Sequence, residues 1–236
     1  MKTWLKAALW LGIIGIILCI VGLVCGSTLN LNYLKDKIDI DWDKEITQEI
    51  SNNDIKDLNI KIDAGKVKIK TGDSFKVEGK KAVIDVNEKD NALYIESKNI
   101  INFLGKNNQE IVIYVPSDYE FQNVSLEIGA GVAVINDIKC DTTEIECGAG
   151  QIEGNISVNN IDIDCGAGKV ELKVEGNKNE YNYDLDVGIG QIEVGDVTIG
   201  GSGDKKVKNT EENRNIKIDC GPGKVNVKFS KEEGLK

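Results

Sequence analysis

The chain has 236 residues, 39 acidic and 29 basic side chains, a formal net charge of -10 and no histidine. The acidic balance disfavours nucleic acid as a partner, because phosphate recognition begins with Lys and Arg neutralising the backbone. The missing imidazole excludes Ser-His-Asp and Cys-His catalysis and removes the commonest transition-metal ligand. Hydrophobic residues reach 41% but aromatics only 6%, with one Met and two Pro, so Val, Ile and Leu must form the core, a composition that favours strands.

Residues 1–6 carry Lys2 and Lys6 and read as a short cytoplasmic end. Residues 7–26, AALWLGIIGIILCIVGLVCG, hold no charge and match the roughly 20 residues that cross a bilayer as a helix. The stretch beyond, LNYLKDKIDIDWDKE, mixes signs and is acidic overall, so the positive-inside bias places the rest of the chain outside the cell membrane. A cleavable signal peptide has a shorter apolar core of about 7–15 residues, although cleavage after Gly26 is a competing reading. A lipoprotein signal needs a small residue before its Cys, whereas Val24 precedes Cys25 and Leu18 precedes Cys19. The segment is apolar all round, unlike a one-sided helix of a soluble domain. A retained single-pass anchor is the expectation, with residues 27–53 as a linker containing a short helix.

Strand-like alternation follows, organised as a repeat: LNIKIDAGKVKIK from Leu58, VSLEIGAGVAVI from Val124, TEIECGAGQIEG from Thr143, NIDIDCGAGKVEL from Asn160, YDLDVGIGQIEV from Tyr183 and NIKIDCGPGKVNV from Asn215. The second glycines fall at Gly131, Gly150, Gly168, Gly190 and Gly223, spaced by 19, 18, 22 and 33, with Gly65 outside this tandem run. Short strands and turns at a period near 20 are the signature of a solenoid, in which successive turns stack as parallel strands. One turn reads as three sides, with corners at Gly154-Asn155, at Asn159-Asn160 and at the Gly-Ala-Gly. A dinucleotide fingerprint needs a helix after its glycines, but KVELKV and QIEVGD alternate, and no G-K-[ST] is present for a P-loop. Gly131, Gly148, Gly150, Gly166, Gly168, Gly188, Gly190, Gly221 and Gly223 are therefore structural corners.

Residues 73–123 read as longer strands with turns at 88–91 and 116–118, able to pair as hairpins and cap the array. Residues 200–213, GGSGDKKVKNTEEN, read as a polar loop extruded from one turn, and 230–236 as a polar tail. The fold expected is all-β, a single-stranded parallel β-solenoid (β-helix) over 54–229 with N-terminal hairpin-like strands, preceded by one transmembrane helix.

The repeated [IV]-x-[IV]-x-x-G-x-G-x-[IV]-x-[IV] turns, the block IVIYVPSDYEFQNVSLEIGAG and the N-terminal apolar segment resemble a bacterial family of adhesin-like domains of unknown function over roughly residues 54–229. The resemblance implies a β-solenoid on the outer face of the cytoplasmic membrane and an association with envelope stress. It brings no catalytic residues.

Cys147, Cys165 and Cys220 share one column before the glycine corner, where other turns carry Ile128 and Val187. A column that exchanges Cys with Ile and Val behaves as an apolar slot. A disulfide between Cys147 and Cys165 and a thiolate metal site are the alternatives. Glu127, Glu146, Asp164, Asp186 and Asp219 form a second, outward column, and Glu153, Glu171 and Glu193 a third. Unit charges about 4.8 Å apart in water repel by roughly 0.9 kcal/mol per pair, so such rows need lysines or cations; Lys66, Lys169 and Lys224 stand after the glycines. Calcium could bridge Glu146, Asp164, Asp186 and Asp219, but no D-x-[DN]-x-[DN]-G loop is present.

No cofactor and no catalytic residue are expected. The reading is a non-catalytic, membrane-anchored, extracytoplasmic binding or sensing scaffold of the cell envelope, with a protein, peptide or glycan partner. The acidic columns and residues 200–213 are its expected contact surface. The competing reading is a carbohydrate-active β-helix enzyme acting on envelope glycans, for which Tyr181, Tyr183, Lys205 and Lys206 are the only sugar-holding candidates.

Overall fold

A computed structural model describes residues 44–52, 54–80, 84–97 and 110–231. The expected anchor over 7–26 and the tail from 232 lie outside the described residues. Among the described residues no helix is long and apolar enough to cross a membrane.

The chain begins with β1 (Glu45–Glu49), β2 (Asp57–Ile62), β3 (Lys66–Gly72), β4 (Lys76–Lys80), β5 (Ile84–Lys89) and β6 (Ala92–Ser97). It continues through β7 (Glu110–Pro116), β8 (Glu120–Ile128), β9 (Val132–Cys147), β10 (Gln151–Cys165) and β11 (Lys169–Val174). A 3₁₀ turn at Lys178–Glu180 leads to β12 (Asn182–Val187), β13 (Gln191–Val194), β14 (Val197–Gly200), β15 (Gly203–Val207), β16 (Asn215–Cys220) and β17 (Lys224–Phe229). All belong to one sheet. KVELKV is strand β11 and QIEV is β13, each parallel to β17.

The glycine corners divide the sheet into two walls. Strands before a corner stack as β6, β2, β8, the C-terminal part of β9, that of β10, then β16 and β12, all parallel. Strands after a corner stack as β7, β3, the N-terminal parts of β9 and β10, then β11, β17 and β13, again parallel. A third side exists only in the middle turns. There Phe121 pairs with Cys140, Ile138 with Ile156 and Ile156 with Val174, past a register shift between Gly154 and Ile156.

Two expectations are corrected by this topology. The turns do not stack in chain order: β16–β17 lies between β10–β11 and β12–β13, and β2–β3 lies between β6–β7 and β8–β9. Register permits this because each turn offers the same alternation and the same corner, so identical ladders form whichever turn comes next. Residues 200–213 are not simply an extruded loop. Gly203–Val207 is a strand running antiparallel along β12, and β14 does the same along β13. Both ends of the stack are thus closed by antiparallel strands, with β5 on β6 and β4 on β7 at the other end. Capping of this kind shields ladder edges that would otherwise recruit further strands. The described part of the expected linker is also strand rather than helix: Glu45–Glu49 pairs antiparallel with β4. The β5–β6 connection is a two-residue hairpin turn, with Asp90 at φ 52° and Asn91 at φ 61°, the paired positive values of a type I′ turn.

The core is built from the inward alternation. In β16 and β12 every second residue is buried, and Leu58, Ile113, Ile163, Val170, Leu185, Ile216 and Val225 are fully inaccessible. The corners explain the glycines. A Cβ on Gly150 would stand 2.5 Å from the Gly131 carbonyl oxygen, and one on Gly168 would stand 2.5 Å from Cys147 Sγ. Both distances are well inside van der Waals contact, so a side chain here would push adjacent turns apart. The backbone ladder runs on through each bend: Ala149 N–H donates to Gly129 O, Ala167 N–H to Gly148 O and Lys169 N–H to Gly150 O. Gly65 belongs to the same ridge, since Val132 N–H donates to its carbonyl.

Candidate functional site

The first wall carries its polar residues outward in registered rows. One row reads Lys61, Glu127, Glu146, Asp164, Asp219, Asp186 and Asp204 across neighbouring strands. Asp219 stands between Asp164 and Asp186 because β16 is interposed, and Asp204 extends the row because β15 pairs with β12. At one end Lys61 Nζ holds Glu127 at 2.6 Å, and that hydrogen bond raises the lysine pKa. Glu146, Asp164, Asp219, Asp186 and Asp204 are all exposed.

The row two residues back is compensated. Lys217 Nζ lies 2.8 Å from Asp162, and Lys206 Nζ lies 2.7 Å from Asp184; each hydrogen bond raises the lysine pKa. Behind it Asn123 donates to Asp57, and Asn215 donates to Asn160. The wall is therefore graded, from neutral amides through ion pairs to a line of carboxylates beside the glycine ridge. Like charges one strand apart repel by roughly 0.9 kcal/mol in water, and full hydration keeps that cost low. Among the described residues no group of three or more His, Cys, Asp or Glu is arranged to hold a metal ion. The candidate calcium ligands Glu146, Asp164, Asp186 and Asp219 stand in single file.

The expected third column is broken by topology. Glu153 and Glu171 are register partners, but Asn226 separates Glu171 from Glu193 and donates to it at 2.7 Å. Lys169 and Lys224 serve this second wall, at 2.6 Å from Glu171 and 3.2 Å from Glu193.

Cys147, Cys165 and Cys220 are consecutive register partners and are buried as free thiols, as is Cys140. Each sulfur column fits under the following corner: a Cβ on Gly223 would come 2.8 Å from Cys165 Sγ. Contact with Cys147 and then burial raise the Cys165 pKa, burial raises that of Cys220, and Cys140 is pushed up to about 12 by burial. Cys140, Cys165 and Cys220 therefore resist ionisation, unlike a nucleophile or a thiolate ligand, whereas the hydrogen bond with Cys165 lowers the Cys147 pKa. Cys147 is only 1% exposed, so burial alone keeps it from an external partner.

The sugar-holding candidates are placed elsewhere than expected. Tyr181 and Tyr183 are 0% and 4% exposed. Tyr181 Oη donates to Val158 O at 2.6 Å and receives Arg214 Nη2 at 2.6 Å, while the Arg214 guanidinium sits 4.3 Å from the Tyr181 ring centre. They close the core where the chain detours through the 3₁₀ turn. Their signal was the aromatic pair in a chain poor in aromatics, which marks packing here.

Parallel glycine-cornered rungs, antiparallel end caps and a graded outer wall define an all-β repeat protein of solenoid type. The chain belongs to the Toastrack DUF4097 family, which it matches over residues 35–236. Among solved structures it is similar to a "putative cell adhesion protein" from Clostridium sporogenes, at 17% identity and TM-score 0.55, covering 79% of this chain and 99% of that one. It also resembles a "putative adhesin" from Bacteroides fragilis, at 16% identity and TM-score 0.38, covering 78% and 97%. No curated protein matches the chain.

Proposed function

We propose that the protein is a non-catalytic binding or sensing scaffold of the bacterial cell envelope. A single transmembrane helix over 7–26 holds it, with the N-terminus cytoplasmic and the β-domain outside the cell membrane. The observation that carries this reading is the uncompensated row Glu146–Asp164–Asp219–Asp186–Asp204 on a rigid wall. It is a surface displayed at a fixed spacing of about 4.8 Å along parallel strands. The fold neighbour named for cell adhesion supports the same class. Its contact face is the first wall, with β15 rather than a free loop at its edge, and its partner is an envelope protein, peptide or glycan. Burial takes Tyr181 and Tyr183 out of the sugar-holding set, which leaves only Lys205 and Lys206 on β15 for a glycan-cleaving enzyme.

The test is capture of envelope partners by full-length protein from detergent-solubilised membranes. Replacing Asp164 and Asp219 together by Asn should abolish retention of the captured species, while a Lys89→Gln variant keeps it. Equal retention by both variants would reject the acidic wall as the contact face. Protease access to the β-domain in intact cells tests the orientation; protection until lysis would reject it.

A further inference from the structure

The geometry points to a second binding surface on the opposite seam, a groove that takes a linear polyanion. It lies where the second wall meets the third side and runs along the stack through two adjoining clefts of about 360 Å³ and 420 Å³. Lys139 and Lys173 line the first cleft, and Lys228 and Lys231 the second. Lys173 and Lys228 are register partners, so their charges stand one strand spacing apart.

Charge balance within the groove favours an anion. Of the carboxylates that line it, Glu193 is held by Lys224 and Asn226, and Asp196 by Lys178 at 2.9 Å. Asp137 and Glu175 then face Lys139, Lys173, Lys228 and Lys231, and none of these four lysines forms an ion pair in the described structure. Asn155, Ser157, Thr198 and Asn226 add neutral hydrogen-bonding groups along the same path. The acidic chain as a whole repels polyanions, so attraction must be local, and this groove faces away from the acidic row.

Shape selects the kind of polyanion. Cationic side chains distributed over several rungs, about 4.8 Å apart, match regularly spaced phosphate or carboxylate groups on one extended chain. A recessed groove admits such a chain but not the flat surface of a bilayer. The ligand class is therefore a soluble linear polymer of phosphodiester or uronate type. Binding should release counterions and weaken steeply with salt, as for any polyanion held by lysines. This inference rests on the scaffold reading above.

The experiment measures binding of purified full-length protein in nonionic detergent to long-chain inorganic polyphosphate and to polygalacturonate, by fluorescence anisotropy across a salt series. The expected result is binding that falls log-linearly with salt, and at least a tenfold loss in a Lys173→Glu/Lys228→Glu variant whose circular dichroism and melting match the parent. Lys89→Glu, on the β5–β6 hairpin, should leave binding unchanged. No binding at low salt, equal loss from both variants, or binding to phosphatidylglycerol vesicles without binding to either polymer would overturn the inference. Loss of polyanion binding with retained partner capture through the acidic wall would sink the groove alone, so the two failures are distinguishable.

Discussion

Cys165 and Cys220 lie side by side on the parallel strands β10 and β16, although five other strands separate them in the chain. Their contact records how the last turn enters the stack. It is inserted between two turns made earlier rather than added at the end.

Removal of the last turn should therefore unfold much of the domain. A chain ending at Asn213 would leave the β10–β11 and β12–β13 turns without their shared neighbour, exposing Ile163, Val170, Leu185 and Ile192, all 0% exposed in the intact fold. The expected outcome is loss of a cooperative thermal transition by circular dichroism. A stack in chain order would lose only its terminal rung and keep melting cooperatively.

Corner glycines should differ sharply in tolerance. Gly168→Ala places a methyl 2.5 Å from Cys147 Sγ and 2.7 Å from Gly150 O, and overpacking of this kind costs about 1–3 kcal/mol. Gly203→Ala meets nothing within 4 Å and should stay within about 0.5 kcal/mol of the parent. Urea denaturation of the two variants checks the contrast.

The buried thiols should be silent in the native state. With its pKa pushed up to about 12, Cys140 is thiolate in only about one molecule in ten thousand at pH 8. Cys147, whose pKa the contact with Cys165 lowers, is shielded by burial alone. Mass spectrometry after brief alkylation should still find Cys140, Cys147, Cys165 and Cys220 unmodified in the native protein and fully modified in denaturant. Rapid native labelling of Cys165 would contradict the packing.

Acid should weaken the N-terminal end of the stack. Hydrogen bonding to Lys76 and Lys68 lowers the pKa of Glu78 and Glu110 below the ordinary value of 4.5. Because folding depresses these values, the stabilisation is fully present above pH 4.5 and is lost as pH falls through the lower folded values. Both pairs are about one-third exposed, so solvent limits the size of the effect. A Glu78→Gln/Glu110→Gln variant should show a shallower fall in urea midpoint between pH 5 and 3 than the parent; an identical slope would refute the assignment.

Much of this was legible in local pattern. Alternation in NIKIDC and NIDIDC fixes which side of each strand is buried, because side chains on a strand alternate faces whatever the neighbour. The Gly-x-Gly spacing marks the bends for the same local reason. The acidic column was visible because Glu146, Asp164, Asp186 and Asp219 hold one position relative to those bends.

What the chain's own order could not reveal is adjacency. Interchangeable turns have interchangeable ladders, so local chemistry does not say whether β12 or β16 follows β10; only the closure of both ends decides it. That choice sets Asp219 between Asp164 and Asp186, puts Asn226 between Glu171 and Glu193, and adds Asp204 through β15. It also brings Lys173 beside Lys228, since a groove built from five separate turns exists only after they are stacked. Period and polarity are properties of single strands and are written in the residues; the order of strands is a property of the whole sheet, settled by which arrangement leaves no apolar edge uncovered.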